Sequence, residues 1–261
     1  IKEQNKKCLL FFRLGDFYEM FFEDAITASR ELEITLTGRD CGLEERAPMC
    51  GVPYHAADGY IARLVEKGYK VAICEQVEDP STAKGIVKRE IVRIVTPGTL
   101  LEGNTLKQEQ NNYIVSVICR DNQFGLSVAD ITTGEWSATH IDSDNGVRKL
   151  LDELSRFSPS ECIIDSHVYE ISNVNEFISS KLNCKTEVIP DYWLDIEGAK
   201  KLLMKHFKVS GLHGVGLSED NHLILASSSL LHYLQETQKC SLSHMNHINI
   251  YHLDAYMLLD I

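Results

Sequence analysis

The chain has 261 residues, 44% of them hydrophobic and 25% charged, which suits one or two globular domains with a real core and excludes long disorder. No apolar run reaches transmembrane length, no secretory signal opens the chain, and eight scattered cysteines form no Cys-x-x-Cys pair, so the expectation is a cytoplasmic protein with reduced thiols and no membrane span. The net charge of −12 excludes a generally basic nucleic-acid binder, although residues 1–109 hold 15 Lys and Arg against 18 Asp and Glu, a net of only −3.

Lys2 to Lys7 is a polar lead-in that reads as the end of a helix, and Cys8 to Leu14 is an apolar run that reads as a buried strand. The run breaks at Gly15-Asp16. From about Tyr18 to Leu32, Phe21, Phe22, Ala25, Ile26, Ser29 and Leu32 recur at helical spacing. Ile34 to Thr37 is short and β-branched, so a strand, and Gly38 to Pro48 is a charged loop carrying Arg39 and Arg46. Met49 to Tyr54 is apolar and punctuated by Gly51 and Pro53. A helix is expected over Ala56 to Lys67, stopped by Gly68, then a strand over Tyr69 to Glu75, a loop over Asp79 to Gly85 and a strand over Lys88 to Thr96. Mixed elements with short connections predict one compact α/β domain.

Gly98 to Thr105 has phosphate-loop spacing, but Asn104 stands where the lysine would be, and Leu106 to Asn112 is too polar for the buried helix that must follow. Leu100 to Asn112 therefore reads as a linker. Three strands follow, Tyr113 to Cys119, Phe124 to Asp130 and Glu135 to Ile141, joined by tight turns as a meander. Next come a helix (Val147 to Phe157), a strand (Glu161 to Ile164), a helix (Val168 to Leu182) and a strand (Lys185 to Ile189). Helices over Ile196 to Phe207 and Leu223 to Lys239 follow, separated by a Gly-rich loop that follows no strand and so is no dinucleotide fingerprint. Three antiparallel strands and then alternating helix and strand is the order of a ribonuclease-H-like fold. The chain starts without Met and ends inside an apolar pattern, Leu253 to Ile261, which reads as a piece of something longer.

Between the first strand and the first helix sits Phe17-Tyr18-Glu19. In an extended segment, Phe17 and Glu19 point the same way while Tyr18 points oppositely. Residue type alone favours a core phenylalanine and a solvated or helix-capping glutamate. The wider segment Gly15-Asp16-Phe17-Tyr18-Glu19-Met20-Phe21 resembles the mismatch-reading motif of the MutS family of DNA mismatch-recognition proteins. Pro48-Met49-Cys50-Gly51-Val52-Pro53-Tyr54-His55-Ala56, Val71-Ala72-Ile73-Cys74-Glu75-Gln76 and Val92-Arg93-Ile94-Val95-Thr96-Pro97-Gly98-Thr99 agree in order, and Ala129-Asp130-Ile131-Thr132-Thr133-Gly134 continues the likeness.

The resemblance implies a mismatch-recognition domain at 1–109 with a mixed sheet, a ribonuclease-H-like connector at 110–243, and the start of a helical core domain at 244–261. It implies that Phe17 wedges beside a mispaired or unpaired base of double-stranded DNA and that Glu19 bonds that base. Arg39 and Arg89 flank this face and are expected on phosphates, with Met49 packing beside the opened groove; for the loop arginines Arg39 and Arg46, phosphate contact and solvated surface are both open. It also implies a connector that contacts MutL, a full-length homodimer, a cytoplasmic, nucleoid-associated setting, and ATP with Mg on a later segment. No cofactor or catalysis is expected in this stretch. The reading from another class is a protein-interaction module that docks repair partners without reading DNA. A nuclease would need clustered carboxylates; Asp130, Glu161 and Asp165 are the candidates, but the strand interiors add no further acid. His244, His247 and His252 lack an acid or cysteine to complete a metal set, so surface or core roles are expected.

Overall fold

The structure is a computed structural model that describes residues 1–42, 45–78, 87–100, 111–217 and 220–253. The expected loop at 79–85, most of the expected linker at 100–112, the end of the phosphate-loop look-alike and residues 254–261 lie outside the described residues. The chain divides into two compact units, Ile1–Gln108 with Glu236–Cys240, and Glu109–Gln235 with Ser241–Ile261.

The first unit is built on a six-stranded mixed sheet. Strands β1 (Cys8–Leu14) and β2 (Phe17–Phe21) form an antiparallel hairpin in which Leu14 pairs with Phe17. The two-residue turn is possible because Gly15 takes φ +59°, as such hairpin turns require. Helix α1 (Phe22–Leu32), β3 (Thr37–Arg39), β4 (Ala47–Pro53), α2 (Ala57–Glu66), β5 (Lys70–Gln76) and β6 (Arg89–Val95) complete it. The strand order is β3-β4-β2-β1-β5-β6, so β2 lies inside the sheet with partners on both sides. Period-2 alternation sorts the faces. Leu9, Phe11, Tyr18, Met20, Cys50, Val52, Val71 and Ile73 point to one face, where Ala25, Ala28 and Leu32 of α1 and Ile61, Leu64 and Val65 of α2 cover them.

The second unit has a six-stranded sheet in the order β11 (Lys185–Val188), β10 (Glu161–Ile164), β7 (Tyr113–Arg120), β8 (Gln123–Asp130), β9 (Glu135–Ile141) and β12 (Asn249–Ile250). Strands β7 (Tyr113–Arg120), β8 (Gln123–Asp130) and β9 (Glu135–Ile141) form the expected antiparallel meander. After α3 (Gly146–Phe157), β10 (Glu161–Ile164) adds parallel to β7. After α4 (Ser166–Glu170) and α5 (Ser172–Glu176), β11 (Lys185–Val188) adds parallel to β10. This is the strand order expected of the ribonuclease-H-like fold. Both faces are buried. Val115, Val117, Leu126 and Val128 pack with Leu150, Leu154, Val168 and Val174, while Ile114, Ile118 and Trp136 pack with residues of α6 (Ile196–Phe207) and α7 (Asn221–Gln238).

The structure departs from the sequence reading in several places. Tyr18 to Phe21 is strand, not helix. The pairing of Met20 with Cys50 and of Phe12 with Glu19 recruits those residues into the sheet, and tertiary pairing overrides a helix-compatible spacing. The short strand expected at Ile34 to Thr37 lies at Thr37–Arg39. The lead-in is a single 3-10 turn, Lys2–Gln4. The helix expected over Val168 to Leu182 is broken at Ile171, whose extended backbone (φ −77°, ψ 94°) separates α4 from α5, and it ends in a π turn, Phe177–Lys181. Asn249–Ile250 forms an unforeseen strand, β12, parallel to β9.

Candidate nucleic-acid interface

The sheet face opposite α1 and α2 gathers the residues of interest. Cross-strand partners share a face, so Phe12 and Leu14 of β1, Phe17, Glu19 and Phe21 of β2, and Met49, Gly51 and Pro53 of β4 lie together. Phe17 sits at the hairpin end of β2, between Leu14 and Pro53, with 46% of its surface exposed. That is unusual for a phenylalanine inside a sheet. A core role is thereby excluded, because the core phenylalanine of this hairpin is Phe11, fully buried on the other face.

Glu19 stands two residues along the same face and lies on a strand, so it is not a helix N-terminal charge; that place in α1 is taken by Glu23 and Asp24. Its carboxylate accepts a hydrogen bond from Arg39 Nη1 at 2.5 Å. The Glu19 side chain is 19% exposed and that of Arg39 is 47%. The strand order explains the meeting: β3 and β4 carry Arg39 across to the neighbourhood of β2. The Arg39 guanidinium also lies 6.0 Å from the centre of the Phe21 ring. Gly51 is the cross-strand partner of Glu19, and a Cβ there would lie 3.2 Å from the Tyr18 carbonyl oxygen and 3.5 Å from Glu19 Cγ. Its lack of a side chain is what lets β4 approach beneath Glu19.

Met49 lies on this face, half-buried, across from Phe21 and Thr37. Arg89 is placed differently from Arg39. Its Nε donates to the Arg13 carbonyl at 3.0 Å, its Nη1 to the Val87 carbonyl at 2.9 Å, and its guanidinium lies 5.2 Å from the centre of the Phe12 ring. The structure thus brings Phe17, Glu19, Arg39 and Met49 onto one face of three neighbouring strands, whereas Arg89 braces β1 from β6 with two of its donors committed to backbone.

Two residues were not singled out by the sequence. Arg13 lies over the Tyr54 ring, 3.8 Å from its centre, and Tyr54 is 47% exposed beside the hairpin turn, where its N–H donates to the Asp16 carbonyl at 2.9 Å. No local pattern marks either; they meet because β4 ends beside the turn of β1 and β2. Beneath the face, the Tyr18 phenol bonds the Glu75 carboxylate, and burial together with that carboxylate pushes the phenol well above its usual range. Tyr18 is therefore a neutral donor that pins β2 to β5.

The acids considered for a nuclease are each engaged separately. Asp130 accepts from Asn112 and Thr132 N–H groups, Glu161 from the Tyr233 hydroxyl, and Asp165 from Arg120 and the Val168 N–H. Residues 244–248 are not helical, and His244 bonds the Ile131 carbonyl. No helix among the described residues is long and apolar enough to cross a membrane.

Comparison with known proteins decides the family. The pattern described as MutS domain I matches residues 1–104, and MutS domain II matches residues 112–248. The chain belongs to the MutS family. It is 51% identical over 259 residues to the DNA mismatch repair protein MutS of Lachnoclostridium phytofermentans, covering 99% of this chain and 28% of that protein. It is 53% identical over 260 residues to the protein of the same name from Ruminiclostridium cellulolyticum, covering 100% of this chain and 29% of that one. The chain thus spans under a third of the length of these MutS relatives, and the family's ATPase domain lies outside the matched stretch.

Proposed function

We propose that the first unit of this MutS-family chain recognises mismatched or unpaired bases in double-stranded DNA and so initiates mismatch repair, with Phe17 as the wedge and Glu19 as the base partner. The observation that carries this reading is an exposed aromatic ring at the end of an internal strand, two residues from a carboxylate on the same sheet face. An apolar wedge entering the minor groove must unstack a base step at a cost of a few kcal/mol. A mispaired base is already poorly stacked, so that cost is smaller there. Stacking on the ring returns about 1–3 kcal/mol. The difference selects deformable sites, which suits a sensor of many errors better than direct reading of the degenerate minor groove.

The Glu19–Arg39 pair supports a division of labour. An exposed pair of this kind is worth about 0–1 kcal/mol, so DNA can open it at little cost. Arg39 then turns to phosphate and Glu19 to a base donor. Met49 lines the opened groove, and Arg89 lies close enough to add a phosphate contact through its remaining donors. We further propose a domain limit at 109/110, with the second domain extending past 244 to include Asn249–Ile250, MutL docking on the second unit, and homodimer formation and ATP and Mg use by the full-length protein. The acidic second unit, whose sequence from residue 110 carries 11 Lys and Arg against 20 Asp and Glu, favours a protein partner over DNA.

The test is Phe17→Ala in the full-length protein. Mismatch preference is expected to fall by about 1–3 kcal/mol in relative affinity, with thermal stability unchanged. Equal preference in variant and parent would remove Phe17 from the mechanism.

A further inference from the structure

His140 lies in β9, and Asp220 and His222 lie at the start of α7, 80 and 82 residues later. One ligand atom from each falls within 4.8 Å of the other two. Asp220 caps α7 through Oδ1, which accepts from the His222 N–H at 2.9 Å and the Leu223 N–H at 3.2 Å, and its Oδ2 faces His140 Nδ1. His222 Nδ1 lies 3.3 Å from Asp220 Oδ1, and the two imidazole centres are 4.7 Å apart. The packing fixes this arrangement: a Cβ on Gly125 of β8 would run into the His222 carbonyl.

The far nitrogens decide the chemistry. His222 Nε2 lies 3.2 Å from the Arg120 carbonyl, which can only accept, so Nε2 carries its hydrogen. His140 Nε2 lies 3.0 Å from the Gln123 side-chain amide, which accepts through its oxygen or, flipped, donates through its nitrogen, so Gln123 serves either tautomer of His140. In the metal-free protein His140 Nδ1–H donates to Asp220 Oδ2; when a cation takes that place and the hydrogen moves to Nε2, both Nδ1 atoms offer lone pairs beside the carboxylate. The His222 and Leu223 N–H groups on Oδ1 favour the charged carboxylate. Three electron-rich atoms around one point call for a cation. Metal-binding histidines show this same pattern, with the far ring nitrogen donating to a carbonyl or carboxylate.

We propose that His140, Asp220 and His222 bind a divalent transition-metal ion, with Zn2+ the best match, joining β9 to the start of α7. Two imidazoles and one carboxylate are a donor set that Zn2+ accepts, with a water in the fourth position. A cavity of about 180 Å³ opens beside His140 and Asp220, lined also by Asp142, Lys149 and His252, and leaves room for that water.

The test uses the 261-residue chain with its exposed thiols, Cys41 and Cys240, alkylated. Zn2+ is titrated by calorimetry and Co2+ by visible absorption. The expected result is one equivalent bound, cobalt ligand-field bands without a thiolate charge-transfer band, and a higher melting temperature with Zn2+. His140→Gln and His222→Gln are each expected to lose at least about tenfold in affinity, the lower end of what even an outer-shell partner is worth. The parent's cobalt spectrum tests the site even if a variant misfolds. Absence of stoichiometric binding, a thiolate band, or affinity unchanged in both variants would overturn the proposal. So would stabilisation by acid in metal-free protein with none from Zn2+, which would make the cation a proton.

Discussion

In the proposed mechanism, Glu19 is the residue on which reading, as distinct from binding, depends. A carboxylate close to DNA is repelled by phosphate unless it meets a donor. In the free protein its donor is Arg39, at 2.5 Å. Glu19→Gln keeps the shape, removes the charge and loosens Arg39 for phosphate. Matched-duplex affinity is therefore expected to rise, mismatch affinity to change much less, and the difference to shrink with added salt. Titrations of both duplexes at two salt concentrations check this; matched affinity that stays level or falls at both would refute the charge gate. The two arginines predict a contrast. Arg39→Ala is expected to weaken matched and mismatched binding alike and lower the salt slope by about one. Arg89→Ala is expected to show more in thermal stability than in salt slope, because it removes two backbone hydrogen bonds and a ring contact. A Phe17 that points outward was legible only through its neighbours in sequence. The exposure of its ring depends on β4 and β1 flanking β2, which no local spacing announces.

At the scale of the element, β4 determines how the face is presented. Gly51→Ala places a methyl 3.2 Å from the Tyr18 carbonyl, so β2 and β4 must part by a few tenths of an ångström. Overpacking of this kind costs about 1–3 kcal/mol. Chemical denaturation is expected to show a loss at the lower end of that range, with weaker mismatch discrimination because Glu19 shifts. Elements with strong alternation or long amphipathic periods were readable from the residues: β1, the meander β7 to β9, β10, α3 and α6 fall where the sequence put them, within a residue or two. The failures share a cause. Residues 18–21 and 249–250 become strands only because a partner strand is already present, and the helix at 168–182 breaks where Ile171 turns extended to keep Val168 and Val174 on one buried side. The ion pair of Glu19 with Arg39, 20 residues apart across two strands, was invisible for the same reason.

For the whole molecule, thiol chemistry gives a global reading of integrity. All eight cysteines are free, six buried and two, Cys41 and Cys240, exposed. Burial raises the Cys50 thiol to about 11 and raises those of Cys74 and Cys119, while Cys162 is raised by its contact with Cys184 and by burial. The reactive species is the thiolate. At pH 8 an alkylating reagent is expected to modify two thiols in the folded protein and all eight in denaturant, as mass spectrometry would count. A third fast-reacting thiol in the native protein would show that one of the two sheets opens locally.

The placement of Phe17 has a mechanical consequence. When a wedge presses on a duplex, protein and DNA act as two springs in series, and the softer one takes most of the deformation. β2 is hydrogen-bonded on both sides and backed by α1, so the base of the Phe17 ring is anchored to a braced sheet and not to a loop. Placed on a mobile loop, the same ring would recoil from a well-stacked step and a weak one alike. In the proposed wedge role, a ring set on an internal strand converts a difference in DNA compliance into a difference in binding energy, and the rigidity of the sheet behind it limits the discrimination.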